Sequence, residues 1–267
     1  MTHCRRSFLA AIIALGLTTG YVARVSANMI DGYAANQRVF NDNPGSTVTI
    51  TPSTISSNPA TITINDQFTG AFAGANRHDV LASGDGGATP YTHGIDESFR
   101  LTTTVTLTGA SNSPRKEAGI RMNSSIGDML FIVNSDAGEI VAFGGPFYLF
   151  GNNAGGNGYI PGTSILMGIE YLGAGDGVGG TANTLEFFVD YGGGIRTSGP
   201  LPWTNLEGGL VDFQVGVYAQ GGANAVGDFV NAVFGDTTYT AIPEPGTFAL
   251  IGMGLIGVLA MRPKRSA

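Results

Sequence analysis

Acidic side chains are the groups in this sequence whose type and spacing could do chemistry. Glu186 and Asp190 are four residues apart in a predicted strand, so they point to the same face. A glycoside hydrolase needs two carboxylates flanking the scissile bond, about 5–9 Å apart. Phe188 would lie between the pair, whereas Asp96 and Glu97 are adjacent and would point to opposite faces. We therefore predict no catalytic residues, with glycoside hydrolysis at Glu186 and Asp190 as the alternative.

Histidine is too sparse for a catalytic triad or a zinc site. After His3 the chain contains only His78 and His93, and no Gly-x-Ser-x-Gly motif accompanies them. Zinc sites usually need three or four clustered ligands. Both histidines fall in the glycine-rich segment 74–94, which we interpret as a surface loop. The sequence thus predicts two exposed loop histidines and no metal ligand.

Calcium is the cation that the loops could hold, because it accepts carboxylate, amide and carbonyl oxygens. Asn134, Asp136 and Glu139 space such oxygens at i, i+2 and i+5. Further aspartates stand in other glycine-rich segments, namely Asp85, Asp176 and Asp228. The same residue types also build tight turns without any ion. We predict no cofactor and leave calcium open, without assigning it to one loop.

Aromatic residues in predicted loops could stack on sugar rings. Trp203 is the only tryptophan and follows a proline. This context favours a side chain that packs in the core over one that stacks on a sugar ring. The other loop candidates for sugar contact are Tyr91, Tyr148, Tyr159, Asn152 and Asn153. No residue of this set is fixed as a binding site by its spacing.

Short alternating segments must position all of these side chains. Ser46–Thr51, Ala60–Asn65 and Phe99–Thr108 alternate apolar or β-branched residues with polar ones, as half-buried strands do. The further predicted strands are Ala118–Met122, Met129–Asn134, Glu139–Phe143, Ile165–Leu172, Thr184–Tyr191, Val211–Ala219 and Asp228–Phe234. Glycine-rich turns separate them, and helical periodicity is nowhere sustained. This pattern predicts an all-β sandwich or barrel.

Two hairpins refine this fold prediction. Met129–Asn134 and Glu139–Phe143 flank a four-residue turn, and Leu185–Tyr191 is followed by three glycines and a returning segment. The order of strands over 65–236 resembles concanavalin-like and laminin-G-like folds. The resemblance implies a jelly-roll β-sandwich domain at 61–241, with 28–60 as an N-terminal extension or edge strands. It also implies that calcium at a loop edge is a reasonable alternative.

Charge excludes one class of partner. The chain has 267 residues, 13 Lys+Arg, 20 Asp+Glu and a formal net charge of −7. Seven basic and nineteen acidic residues fall within 28–241, giving that segment a net charge of −12. Such a surface repels phosphate, so we predict no nucleic-acid partner. It can attract cations, although high solubility explains the charge equally well.

The N-terminus predicts export. Arg5 and Arg6 precede an apolar run from Phe8 to Leu17, and small residues end at Ala27. A basic start, a short apolar run and a small-x-small site are the parts of a secretory signal peptide, assigned here to 1–27. Cys4 lies inside it, so the exported chain would contain no cysteine and no disulfide.

The C-terminus carries a second targeting signal. Pro243, Glu244 and Pro245 precede an apolar helix that ends in the cationic cluster 262–265. From Thr247 to Met261 the helix would be about 22 Å long, shorter than the roughly 30 Å hydrocarbon core of a bilayer. A transient transmembrane anchor with a cytoplasmic tail therefore fits better than a permanent one.

This three-part end at 242–267 resembles the PEP-CTERM sorting signal of exported proteins in Gram-negative bacteria. The resemblance implies processing by an exosortase, a membrane-embedded cysteine protease, near the Pro-Glu-Pro motif. It assigns recognition to Pro243, Glu244 and Pro245, and it assigns the stop-transfer tail to Arg262, Lys264 and Arg265. Pro263 interrupts the basic cluster, where an unbroken arginine run is more usual.

Together these features predict an exported, exosortase-processed protein of the cell surface or extracellular matrix that is not an enzyme. Its precursor would sit in the inner membrane. Its role would be structural or weakly glycan-binding in exopolysaccharide or biofilm, with extracellular polysaccharide as its ligand. A polysaccharide-active glycoside hydrolase and a calcium-dependent adhesin are the alternatives.

Overall fold

Alternation of buried and more exposed side chains marks several strands of the computed structural model. Ala60–Phe68 shows it clearly, because every second side chain from Ala60 is buried. The structure describes residues 30–40, 43–125, 127–173, 183–203 and 212–243. Within this part of the chain, Ile30–Ile242 form one compact unit.

Two antiparallel sheets contain the strands of this unit. The first eight strands are β1 Gly32–Phe40, β2 Ser46–Thr51, β3 Ala60–Phe68, β4 Phe72–Ser83, β5 Phe99–Gly109, β6 Lys116–Ser124, β7 Gly127–Asn134 and β8 Ile140–Phe143. The others are β9 Tyr148–Gly151, β10 Ser164–Leu172, β11 Thr184–Asp190, β12 Arg196–Thr197, β13 Leu201–Pro202, β14 Phe213–Ala223 and β15 Phe229–Ala241. The seven-stranded sheet has the order β1-β4-β14-β6-β7-β8-β9. The eight-stranded sheet has the order β12-β11-β10-β5-β15-β3-β2, with β13 beside β11.

The connections between the sheets produce a jelly roll. Strands β3 and β4, β5 and β6, and β14 and β15 are consecutive in the chain, and each pair has one strand in each sheet. The β14–β15 pair lies in the middle, between the other two pairs. This wrapped arrangement confirms the predicted all-β jelly-roll sandwich. The predicted signal helix and C-terminal helix lie outside the described residues.

One hydrophobic core fills the space between the sheets. Phe131 of the seven-stranded sheet packs on Phe187 of the eight-stranded sheet, with ring centroids 5.2 Å apart. Ile62, Val105, Ile120, Val217 and Phe234 are fully buried in the same cluster. Inward-facing residues of both sheets thus stabilise the fold by removing apolar surface from water.

The predicted hairpins are confirmed, but one predicted loop is wrong. β7 pairs with β8 and β11 pairs with β12, both antiparallel. The glycine-rich segment 74–94 begins within β4, a twelve-residue strand between β1 and β14. Both faces of β4 are covered over its second half, so its sequence lacks the alternation that marks half-buried strands.

Residues 30–60 contribute an edge strand to each sheet. β1 pairs with β4, and β2 pairs with β3. Tyr33 of β1 is buried in the core, where its hydroxyl donates to the Thr237 carbonyl at 3.0 Å. The segment is therefore tied to the sandwich by backbone pairing and by core packing.

None of the helical turns among the described residues is long and apolar enough to cross a bilayer.

Candidate functional site

The carboxylates proposed from sequence for hydrolysis do share a face, but they have other partners. Glu186 and Asp190 lie on the outer face of the eight-stranded sheet. Asp190 accepts the Gly192 backbone N–H at 2.9 Å, which closes the turn after β11 and lowers the pKa of this carboxyl group. Glu186 stands opposite Glu170 of β10. The sheet register therefore gives Glu186 a different carboxylate neighbour from the one that sequence spacing suggested.

The two histidines are buried, which corrects the prediction that they are exposed in a loop. His78 is on β4, and its Nε2 lies 3.0 Å from Asp66 Oδ2. Its Nδ1 accepts the Arg38 backbone N–H, so Nε2 carries the proton that is donated to Asp66. His93 stacks between Phe99 and Tyr239 in the core. Both side chains have zero relative exposure because they fill the space between the sheets.

The loop aspartates and glutamates proposed for calcium are engaged by protein groups. Arg115 lies 3.2 Å from a Glu139 carboxylate oxygen and 3.9 Å from one of Asp136. Asn134 bonds both the side chain and the backbone N–H of Glu139, which closes the β7–β8 turn. Asp85 closes a turn with Ser83 and Thr89, Asp228 pairs with Lys116, and Asp176 lies outside the described residues. In the described part of the chain, no three His, Cys, Asp or Glu residues are grouped to hold a metal.

The aromatic residues proposed for sugar stacking support the fold. Trp203 is partly buried against the core and meets Tyr171 edge-on. The Tyr159 hydroxyl accepts the Leu107 N–H at 2.8 Å inside the protein. Tyr91 binds Glu97, Tyr148 packs on Phe150, and Asn152 caps the short 3-10 turn Asn153–Gly155. These residues do not form one exposed platform.

A set of charged and amide side chains crosses the outer face of the seven-stranded sheet. We call it the charged face; its members are Arg77 and Asp79 of β4, Glu117, Arg121 and Asn123 of β6, Asp128 of β7, and Gln214, Tyr218 and Gln220 of β14. They alternate with core residues, so the period of the strands places them together. Three adjacent central strands and β7 hold them in register.

Two arginines join the carboxylates of the charged face. Arg77 donates to Asp128 at 2.8 Å and to the Gln220 side-chain oxygen at 2.8 Å. Arg121 also donates to Asp128, with both carboxylate oxygens within 2.9 Å, and it donates to Asp79. The Arg121 side chain is 9% exposed and that of Asp128 is 26% exposed, so the network runs from a buried centre to a solvated rim.

A second branch of the network holds a carboxylate and a phenol. Gln220 donates to Glu117 at 2.5 Å, and the Tyr218 hydroxyl donates to the same oxygen at 3.3 Å. The Arg77 guanidinium lies 5.6 Å from the Tyr218 ring centroid. Burial first, and the Glu117 charge second, raise the pKa of Tyr218 well above its ordinary value. This phenol is therefore a hydrogen-bond donor at neutral pH and a poor base.

Asp79 is the most strongly perturbed carboxyl group of the charged face. Burial raises its pKa to about 6, against the opposing effect of Arg121 and Arg77. Perturbed groups of this kind concentrate at functional sites, which is why we select the charged face as the candidate. It supplies fixed donors and acceptors from arginine, carboxylate and amide groups. Such an array can orient a polar ligand without moving its own side chains.

Sequence reasoning missed the charged face. The segments 118–122 and 211–219 were predicted as strands. However, the polar residues at their alternate positions were not recognised as neighbours on one sheet face. The usable signal was period two, with Glu117, Gly119, Arg121 and Asn123 on one face of β6. Which strands lie beside β6 is decided by long-range pairing, and no spacing in the sequence reveals it.

Comparison with known families decides the nature of the C-terminus. Residues 241–265 match the model of the PEP-CTERM protein-sorting motif. The chain carries a PEP-CTERM sorting motif. The match covers all six residues given a sorting role from sequence, although their separate roles stay predictions. Exosortase, a membrane protease, recognises PEP-CTERM signals, and the motif implies an exported protein anchored through its C-terminal region before processing. Of these six residues, only Pro243 is among the described ones.

Solved structures with similar folds include an enzyme and lectins. The alginate lyase from Corynebacterium sp. is 9% identical, with a TM-score of 0.46, and the alignment covers 80% of this chain and 95% of that one. The Lotus tetragonolobus seed lectin is 10% identical, with a TM-score of 0.38 and coverage of 79% and 99%. Lectin II from Ulex europaeus is 9% identical, with a TM-score of 0.38 and coverage of 79% and 100%. No curated protein matches this chain in sequence.

Proposed function

We propose that this PEP-CTERM protein is a non-enzymatic component of the extracellular polysaccharide matrix. It is released at the cell surface after processing, and its charged face binds glycan. The observation that carries the proposal is the network of Arg77, Arg121, Asp128 and Gln220, which holds planar polar groups rigidly on one sheet face. Rigid groups lose little conformational entropy on binding a ligand.

The state of the ionisable groups supports a binding role over catalysis. Glycoside hydrolysis needs one carboxylic acid and one free carboxylate beside the sugar. On the charged face, Asp79, Glu117 and Asp128 are all held by hydrogen bonds or ion pairs, and Tyr218 keeps its proton. The remaining polar groups are suited to hydrogen bonding with hydroxyls. The glycoside hydrolase and the calcium-dependent adhesin remain the competing functions.

Glycan-array binding of residues 28–242 tests the proposal, since this segment holds the whole described core. We expect specific binding that Asp128→Asn weakens about tenfold, because its neutral amide no longer holds Arg77 and Arg121. Asp236→Asn is the matched control, because Asp236 is exposed and lies on the other sheet. Its backbone φ angle of 51° is one that Asn also adopts. If the protein binds no glycan on the array, the proposal is wrong.

Two further measurements separate the alternatives. Binding that disappears with a chelator and returns with Ca²⁺ would favour the adhesin. A turnover assay on polysaccharides, with Glu186→Gln and Asp190→Asn as variants, tests the hydrolase. Cleavage that these two changes abolish would overturn the non-enzymatic assignment.

A further inference from the structure

The outer face of the eight-stranded sheet carries two neutral rows of side chains. The register places Thr49, Asn65, Asn231 and Thr108 in one row across β2, β3, β15 and β5. It places Thr51, Thr63, Val233 and Thr106 in the next row. We call these eight residues the threonine–asparagine face. Neighbours in a row are about 4.8 Å apart, because that is the spacing of strands in a sheet.

This face is accessible and uncharged, although the domain as a whole is strongly acidic. Thr49 and Thr51 are exposed, and the other six side chains are half-buried. The charged residues on the outer face of this sheet stand outside the two rows. They include Asp236 in the β15 bulge and Arg100 near the start of β5, and also Glu170, Glu186 and Asp190 on β10 and β11. An acidic protein with one neutral face offers that face to a neutral partner, since an ionic one gains no complementary charge there.

Amide side chains form a hydrogen-bonded ladder along the first row. Gln67 donates to Asn65 at 2.9 Å, and Asn65 donates to Asn231 at 3.1 Å. Asn231 in turn donates to Thr108 at 3.4 Å. Each amide group has two N–H donors and uses one in the ladder. The second N–H of each has no partner among the described residues, so it can donate to a ligand hydroxyl.

Strand formation alone does not explain this composition. Threonine is a good strand former, but asparagine is depleted in strands. Here Asn65 and Asn231 stand opposite each other on two inner strands of the sheet. Edge strands usually carry lysine or another charge that blocks pairing, yet β2 at this edge reads STVTIT.

We propose that the threonine–asparagine face binds a neutral polysaccharide chain lying across the strands. An extended chain in that direction meets one side chain per strand, at a spacing close to the length of one sugar ring. Free amide N–H groups and threonine hydroxyls bond its hydroxyls, and the threonine methyl groups and Val233 contact its C–H faces. This inference rests on the proposed matrix function and adds a second glycan surface, so that one molecule bridges two chains.

The test uses the exported protein purified after processing, with barley β-glucan as the neutral probe. We expect β-glucan to retard the protein in affinity electrophoresis equally at low and high salt, because no charge pairs form. Asn231→Asp should weaken this retardation about tenfold, by placing a charge in the ladder. Asn157→Asp, the same change at an exposed loop position outside both faces, is the control and should leave β-glucan binding intact.

Thr106→Val keeps the proposal testable if Asn231→Asp fails to fold, because it replaces one hydroxyl with a methyl group and keeps the β-branched shape. We expect it to reduce β-glucan retardation with an unchanged circular dichroism spectrum. Equal retardation of all variants, or none of the wild-type protein, overturns the threonine–asparagine face as a glycan site. If Asp128→Asn is the only variant that loses glycan binding, the threonine–asparagine face is not a glycan site, but the proposed function still stands. Absence of binding to any glycan overturns both.

Discussion

Two ionisable side chains, Lys116 and Asp228, are buried beside each other in this protein. Lys116 has zero relative exposure, and its Nζ lies 3.2 Å from Asp228 and 3.2 Å from the Pro114 carbonyl. Removing one partner of such a pair leaves a buried charge without compensation, which typically destabilises by about 3–5 kcal/mol. Lys116 and Asp228 thus lock the loop before β6 to the start of β15.

His93 makes stability depend on pH. Its ring lies 4.8–5.4 Å from those of Tyr91, Phe99, Phe213 and Tyr239, and burial lowers its pKa despite the nearby Glu97. The unfolded chain therefore takes up a proton near the ordinary value of about 6.5, before the folded one does. Stability is full above that pH and is lost as pH falls below it. We expect the thermal midpoint to fall between about pH 7 and pH 5.

His93→Phe isolates this effect, because phenylalanine fits the aromatic surroundings and does not titrate. Its midpoint should fall less than that of the wild type over the same range. Asp79 acts with the opposite sign, since burial raises its pKa to about 6, but it is present in both proteins and cancels in the comparison. Identical pH profiles for the two proteins would contradict the prediction.

Strand register explains a glycine on the outer face of the eight-stranded sheet. Gly168 of β10 stands opposite Phe188 of β11, and a Cβ at position 168 would collide with the Phe188 ring. The ring therefore lies over the glycine, where it is 4% exposed, with the Arg100 guanidinium 4.4 Å from its centroid. Sequence spacing had placed Phe188 between two catalytic candidates, whereas pairing makes it a cover for Gly168.

A double-mutant cycle tests this arrangement. Gly168→Ala should lower the free energy of unfolding by about 1–3 kcal/mol, because it displaces the ring. In a Phe188→Ala background the same change should be nearly neutral, as measured by urea denaturation. Gly70→Ala is the control, since a Cβ there meets nothing within 4 Å. Additive effects of the two substitutions would show that the ring does not need the glycine.

Sequence patterns predicted strands well where apolar alternation marks one solvated face, or where an apolar run meets a glycine-containing turn. Ser46–Thr51 was predicted with its observed bounds, and the β7–β8 hairpin with nearly its observed bounds. β4 was missed because buried neighbours cover both of its faces, so polar and apolar residues follow no simple period. Asn76, Arg77, His78 and Asp79 resemble a loop in sequence, yet each of them is bonded to a side chain of another strand.

At the scale of the whole molecule, sorting is the property with the most direct test. Changing Pro243, Glu244 and Pro245 to Ala should leave a full-length precursor in the inner membrane, because the exosortase no longer recognises it. Immunoblots of inner-membrane and released fractions measure this. Pro200→Ala, within the described domain, is the control and should be processed normally. Release of the triple variant at wild-type size would refute the role given to these three residues.

The outer faces of the two sheets differ in the chemistry of their side chains. This difference is a property of the whole molecule and not of any single strand. The charged face holds arginines and carboxylates in ion pairs, whereas the threonine–asparagine face holds amides and hydroxyls. They belong to opposite sheets, so ligands bound to them would be separated by the full core. Two binding surfaces on one exported protein are what cross-linking of matrix polysaccharide would require.

The sequence by itself determined the all-β class, most of the strands and the sorting motif, because each depends on neighbouring residues or on contiguous composition. Tertiary structure alone decided that His78 and His93 are buried, that Glu186 faces Glu170, and that Arg77 reaches Asp128. These outcomes depend on which strands become neighbours. Strand pairing joins residues from distant parts of the chain, so local periodicity places a side chain on a face but does not specify its partner.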